Sequence, residues 1–490
     1  MRKTIFKTTI FLAIIFTLIS CDNFGDMNQN PNAPTSIQNN PELLLTSICR
    51  KVPNTLVDFA WEQGNLMGQY YARIVFTEFD LFQWGDNAGL WNNLYSSVRD
   101  ANSLYEIGNN SYKACALIMR AYAFQNLTEL WGEVPYSEAG KGKSENIYAP
   151  KYDTQQNIYN GIIADLEEAN NLLSDNPIKI KGDILNNGDL TKWRKLANSL
   201  RLRILLRMSE ANPSAAQQGI ANILNDPAKY PIISSNADNT SLTYLSAPPN
   251  VYPRSSAANY RIGSYNEFRM SETVQGELER FKDPRMKLWF SPTQNSIDSN
   301  KQNPNVPLRW DGMKNGMVDG NAYVYKGGAA NLSAVNTELF FNYPNKIKAD
   351  VMTYSEVSFI IAEAAMRGWV GADAKTNYDN GIKASFEYWN VPIPDNYLSQ
   401  AGVAYDNNLE TIITQKWLAL FNNGAQGFIE FKRTGFPTQI KPGPDAFYDT
   451  YPCRFQYPDE EQSLNGASRS EALSRQGPDE NTTPLWYQKK

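Results

Sequence analysis

No histidine occurs in the 490 residues. That absence excludes Ser-His-Asp and Cys-His catalysis and removes the commonest general base. It also excludes zinc and iron sites that depend on imidazole. Cysteine is scarce, with Cys21, Cys49, Cys115 and Cys453 only. No pair has Cys-x-x-Cys spacing, so neither a thiolate metal site nor a redox motif is expected. Cys115 lies among apolar residues at helical spacing and is expected to be buried filler, while one disulfide stays open. A calcium site near the acidic, Asn-rich loops also stays open, but no twelve-residue calcium loop is present and no metal is assigned. Excess positive charge is missing too: Lys and Arg total 46 against 51 Asp and Glu, net −5. That balance argues against nucleic acid as a partner. After residue 20 no apolar run approaches the ~20 residues that span a bilayer as a helix.

What is present begins at the amino terminus. Arg2, Lys3 and Lys7 precede the apolar run Ile10 to Ile19, with the small Ser20 behind it. Basic lead, short apolar run and small residue define residues 1–20 as a secretory signal. The quartet Leu18-Ile19-Ser20-Cys21 resembles the lipobox of bacterial lipoproteins. The resemblance implies cleavage before Cys21, diacylation of its thiol and acylation of the new amine. That covalent lipid is the only prosthetic group expected, and two or more chains anchor a protein stably. Residues 21–40 are polar and rich in Asn and Pro, which predicts a flexible leash. Residues 41–490 form the body, expected as one large unit.

Helical periodicity dominates that body. Leu90, Leu94, Val98, Ala101 and Tyr105 share one face, and Ala114, Leu117, Ile118, Ala121, Phe124 and Trp131 another. The break Gly108-Asn109-Asn110 makes them an antiparallel pair. Further helices are predicted at Ile158–Leu173, at Trp193–Met208 and from Pro213 to Leu224. Arg194, Arg201, Arg203 and Arg207 fall largely off the apolar face, which predicts a solvated basic edge. Helices resume at Thr353, where Thr353 and Glu356 have capping-box spacing. They continue over Asp373–Trp389 and Leu409–Phe421; Phe428 to Arg433 then leads into Thr434-Gly435-Phe436-Pro437, and the last fifty or so residues read as loop. The fold class is therefore mainly α, with tetratricopeptide-like helix pairs over 41–229 and 353–436. Residues 230–352 interrupt it with Pro, Gly, Asn, Tyr and Trp. So long an irregular stretch is expected to carry a recognition surface.

Several short motifs resemble the SusD/RagB-like nutrient-binding lipoproteins of Gram-negative bacteria. They are Asn28-Gln29-Asn30-Pro31-Asn32-Ala33-Pro34, then Arg120-Ala121-Tyr122 with Leu130-Trp131-Gly132-Glu133-Val134-Pro135-Tyr136. Lys192-Trp193 with Ala197 to Arg203, and Asp283-Pro284-Arg285, follow. Tyr354-Ser355-Glu356 with Ala362-Glu363-Ala364, Gln415-Lys416-Trp417 and Arg433-Thr434-Gly435-Phe436-Pro437 are similar to the C-terminal signature. Tyr457-Pro458, Glu461 and Asn465 close the series, and Lys432 departs from a common Arg. The resemblance implies a lipid-anchored protein of the outer membrane facing the cell exterior. It implies a TonB-dependent SusC-like transporter as partner, to which captured oligosaccharides or peptides are delivered without catalysis. These motifs are mostly scaffold; Trp193 and Trp417 are expected in the core.

A glycan binder needs aromatic planes to stack on sugar rings and planar polar groups to orient them. Aromatic residues reach 12 % of the chain. Those in polar context are Trp84, Tyr252, Tyr260, Trp310, Tyr323 and Tyr325, with Asp86, Asn87, Asn321 and Arg254 as hydrogen-bonding candidates. Two other functions remain on the sequence. A glycoside hydrolase needs only two carboxylates, for which Glu62, Glu78, Asp80 and Asp86 are available. A structural or adhesive surface lipoprotein needs no site at all.

Overall fold

The computed structural model describes residues 40–175, 177–247, 250–254, 267–342 and 347–488. The signal, Cys21, the leash to residue 39 and Tyr260 lie outside the described residues. Helices of five residues or more are numbered in chain order. The amino-terminal half holds α1 (Pro41–Phe59), α2 (Ala88–Ile107), α3 (Asn110–Trp131), α4 (Gln155–Ser174), α5 (Leu190–Arg207) and α6 (Pro213–Leu224). Each packs on the next: α1 on α2, α2 on α3, and so on to α6. The starts are set by local chemistry. Asn109 accepts the amides of Ser111 and Tyr112 ahead of α3, and Asp189 accepts those of Thr191 and Lys192 ahead of α5. The helix α1 has no counterpart among the predicted helices, although Leu44, Leu45, Ile48, Val52 and Leu56 recur at helical spacing and are buried. Pro53 inside it masked the pattern.

The second half of the scaffold is α11 (Tyr354–Met366), α12 (Ala374–Tyr388), α13 (Leu409–Ala419) and α14 (Gln426–Thr434). Thr353 accepts the amide of Glu356 as the capping spacing predicts. The Glu356 carboxylate, however, turns inward to Arg203 rather than back to the cap. Between the halves lie four short helices, α7 (Glu272–Arg280), α8 (Arg285–Trp289), α9 (Gln294–Gln302) and α10 (Asp319–Val324). Three two-stranded antiparallel sheets complete the described fold: β1 (Tyr71–Arg73) with β5 (Phe268–Met270) ties the insertion to the scaffold, β2 (Val134–Pro135) with β3 (Tyr152–Asp153) lies within the amino-terminal half, and β4 (Thr240–Thr243) with β6 (Lys348–Met352) joins the two ends of the insertion. The carboxy-terminal stretch is not all loop. It contains α15 (Asp459–Leu464) and α16 (Gly466–Gln476), two helices too polar to show a core-facing stripe.

The largest departure from sequence expectation is the arginine row of α5. Arg203 and Arg207 are fully buried and Arg201 nearly so, so they form no solvated edge. The physical reason is that α5 is packed by helices on several sides, and periodicity cannot show carboxylates that arrive from distant segments. Arg203 pairs with Glu356 at 2.5–2.6 Å, 153 residues away. Arg207 pairs with Glu129 at 3.0 Å and with Glu430. Arg433 bridges Glu363 and Glu430, both at 2.6 Å, and Lys416 Nζ lies 2.9 Å from Glu430. Four cations and four carboxylates are thus matched across α3, α5, α11, α13 and α14 with no exposed member. Arg194 and Arg201 are also engaged, by Asn170 at 2.9 Å and Glu167 at 3.0 Å.

The remaining core is aliphatic and aromatic. Trp193 and Trp417 are fully buried, and Tyr70 stacks on Trp417 at 4.7 Å. Cys49, Cys115 and Cys453 are buried free thiols, so the open disulfide is not formed among them. Among the described residues no helix is long and apolar enough to cross a membrane.

Candidate functional site

The carboxy end of α1 does not stop at Phe59 but widens into a π-turn over Ala60–Gly64. Such turns re-aim side chains and cluster at functional sites. Gly64 makes this one possible: a Cβ there would stand 2.1 Å from the Gly424 carbonyl oxygen, so only glycine lets the turn lie against the scaffold. The opposite side of the turn opens into a cleft of about 540 Å³. Asn54, Asp58, Glu62 and Gln63 line it from α1 and the turn, Asn87 and Asn93 from the start of α2, and Arg254 from across. Phe59 and Leu90 form its buried apolar floor.

The polar groups are cross-braced. Arg254 Nε donates to Asp58 at 2.6 Å, and its Nη1 lies 2.7 Å from Glu62. The second Glu62 oxygen accepts from Arg73 at 3.2 Å. The Asp58 and Glu62 charges raise the pKa of Arg254 further, although burial opposes them. Asn87 adopts a left-handed backbone (φ 49°) ahead of α2 and donates its amide to Gln63. Tyr244 donates to Asn54 at 2.8 Å. The result is an array of planar donors and acceptors above an apolar floor, able to hydrogen-bond a polar ligand.

Of the residues predicted from sequence, Asn87 and Arg254 line the cleft, and so does Glu62 from the acidic set. Trp84 and Tyr252 require correction, because both are buried. Trp84 is not a loop platform: it is buried, stacked on Phe79 at 5.3 Å, edged by Phe428 and Phe455, with Nε1 donating to the Phe79 carbonyl. Its loop folds under itself through left-handed Phe82 and Gly85. Tyr252 is fully buried against Tyr244. Asp86 is a structural latch. One carboxylate oxygen accepts the Ala88 amide at 3.1 Å and the other the Asp459 amide at 3.2 Å. Asp80 is buried, receives Asn315 and the Arg73 amide, and is pushed by desolvation up to about 6. Trp310 is half-buried, its indole nitrogen held by the Phe290 carbonyl and Lys287 lying over its ring. Tyr325 donates to Glu272 at 2.8 Å. Tyr323 and Asn321 are exposed on α10, away from the cleft lining. Sequence reasoning missed Asn54, Asp58, Gln63 and Asn93. The available signal was Asn54, Asp58 and Glu62 at i, i+4, i+8 on one helical edge.

A helix-pair scaffold thus bears a braced polar cleft beside an irregular insertion. Comparisons with known proteins place this architecture in a family. The profile of the SusD-like_2 family, described as starch-binding and associating with the outer membrane, matches residues 31–458. The chain belongs to this family. It is similar to a solved outer-membrane protein of Bacteroides vulgatus ATCC 8482 whose description links it to nutrient binding. Identity is 28 % and the TM-score 0.78, over 92 % of this chain and 100 % of that one. A solved chitin-binding protein matches at 27 % identity and TM-score 0.78, again over 92 % and 100 %. The SusD-like protein P2 of Formosa agariphila is 24 % identical over 192 residues, 34 % of this chain. That match spans about 37 % of the relative's own length.

Proposed function

We propose that this chain is a non-catalytic, lipid-anchored surface protein that captures oligosaccharides in the Asp58–Glu62–Arg254 cleft. It delivers them to a TonB-dependent SusC-like outer-membrane transporter. The observation that carries the reading is the cleft itself: rigid amide and carboxylate groups on a π-turn, facing an arginine, over an apolar floor. The family's description as starch-binding and the chitin-binding neighbour support a glycan as ligand. Catalysis is disfavoured because Asp58 and Glu62 are both occupied as acceptors of one guanidinium. A hydrolase needs one carboxyl group free to give a proton to the leaving oxygen.

The test is a binding screen of the purified protein against glycan and peptide panels, followed by Glu62→Gln and Arg254→Ala. Glycan binding that weakens tenfold or more in both variants, with no product released on prolonged incubation, supports the reading. Peptide binding alone, or cleavage abolished by Glu62→Gln, overturns it.

A further inference from the structure

The start of α1 is crossed by a strap, residues 177–182, on the way from α4 to α5. The strap is held to the scaffold along its length. The Ile178 amide donates to the Ser111 hydroxyl at 2.9 Å, and the Lys181 amide to the Tyr112 hydroxyl at 2.9 Å. Thr46 donates to the Gly182 carbonyl at 2.7 Å. A Cβ at Gly182 (φ 78°) would stand 2.1 Å from the Glu42 carbonyl oxygen, so only glycine lets the strap lie on α1. Ile180 is buried beneath it. Ile178, two residues earlier, is 53 % exposed, and Leu43 in the first turn of α1 is 48 % exposed. Because hydrogen bonds pin the strap on both sides of Ile180, the exposure of Ile178 is built in and does not come from a loose loop.

Basic side chains stand around these two. Lys179 and Lys181 flank Ile180 and are exposed. Leu43, Ser47 and Arg50, at i, i+4 and i+7, form the exposed stripe of α1. Asp183 does not offset them, since its carboxylate is taken up by the amides of Leu185, Asn186 and Gly188 and by the Trp193 indole. Glu42 and Asp175 are the acids left against Lys179, Lys181 and Arg50.

We infer that this end of the body is a lipid-facing surface. Leu43 and Ile178 enter the boundary between headgroups and acyl chains of an anionic membrane, and Lys179, Lys181 and Arg50 meet its phosphates. The inference rests on the lipid anchor of the proposed function and goes beyond it: the body itself touches the bilayer and takes one orientation on it. The described chain begins at Asn40, directly ahead of α1. A coil from an anchored Cys21 to Asn40 spans ~25 Å on average. The anchor therefore brings the start of α1 to the bilayer before any other part of the body. Two apolar side chains and a few cations hold a lipid surface only weakly. A short tether supplies an effective concentration of about a millimolar, which is enough for a weak contact. A second protein fits less well, because two side chains fall far short of a stable interface.

The experiment uses the acylated protein reconstituted into vesicles of phosphatidylethanolamine and phosphatidylglycerol, with mass spectrometry reporting the lipid on Cys21. Leu43→Cys, Ile178→Cys and Leu464→Cys variants each carry an environment-sensitive dye. Cys49, Cys115 and Cys453 are buried and stay unlabelled in the folded protein. Leu464 on α15 is 68 % exposed and is the apolar reference outside the strap. Spin-labelled lipid should quench the dye in Leu43→Cys and Ile178→Cys at least twofold more than in Leu464→Cys. Adding Lys179→Ala and Lys181→Ala, or raising the salt, should narrow that difference. Equal quenching in all three variants of acylated protein overturns the lipid-facing surface and leaves the anchor standing. An unmodified Cys21 overturns the anchor, and this inference with it.

Discussion

The two halves of the recognition problem are handled by opposite electrostatics. In the helical scaffold, Arg203, Arg207, Lys416 and Arg433 are stripped of water and matched to Glu129, Glu356, Glu363 and Glu430. At the cleft, Asp58, Glu62 and Arg254 make the same kinds of pair while half-exposed. A buried pair costs heavily when one partner is removed, because the other is left as an uncompensated charge. A half-exposed pair contributes little to stability, since water replaces the missing partner. The scaffold charges therefore fix how α3, α5, α11, α13 and α14 dock. The cleft charges remain available to exchange a partner for a ligand hydroxyl.

Arg433→Met breaks the comparison most severely. It leaves Glu363 with Arg367 alone and strips Glu430 of one partner, and should cost about 3–5 kcal/mol in urea unfolding without a selective effect on binding. Acid probes the same pair. Arg433, Arg367 and Lys416 hold Glu363 down at about 2 although burial opposes them. A depressed carboxyl stabilises the fold above its unfolded value near 4.5, and that stability drains as pH falls from there toward 2. The loss amounts to about 3 kcal/mol, absent in Glu363→Gln. Trp84→Ala should also destabilise by about 3–5 kcal/mol, because its stacked ring fills the core. A ligand-binding Trp84 would instead weaken affinity at unchanged melting temperature.

Asp80 is the intermediate case. Its pKa, raised from 3.8 to about 6, has the opposite sign: the protonated form suits the fold, fully present below 3.8 and lost as pH rises through 6. The stability of the wild type relative to Asp80→Asn should fall by up to about 3 kcal/mol over that window, read from melting temperatures against pH. Glu62→Gln should have the smallest effect on stability, below about 1 kcal/mol, yet the tenfold loss of glycan affinity named above.

The contrast also explains what the sequence reveals. Helices α2 to α6 and α11 to α13 are legible because apolar residues recur on one face, as with Leu90, Leu94, Val98 and Ala101. The arginines of α5 mislead because a charge off the apolar stripe reads as solvent-facing, while Glu356 arrives from 153 residues away. Trp84 and Tyr252 mislead for the converse reason. Their neighbours in sequence are polar, but their neighbours in space are Phe79, Phe428 and Tyr244. The cleft is only partly legible, because Asn87 and Arg254 reach it from loops whose course depends on long-range packing. The π-turn that aims Glu62 has no local sequence signature beyond Gly64.

The central claim is that the cleft at the end of α1 is where ligand binds. Amide hydrogen exchange with and without a saturating oligosaccharide found in the binding screen tests it most directly. The account predicts new protection over residues 54–63, 87–93 and 250–254, with the α11–α14 helices unchanged. Protection confined to the scaffold helices, or none at all around Glu62, would contradict it.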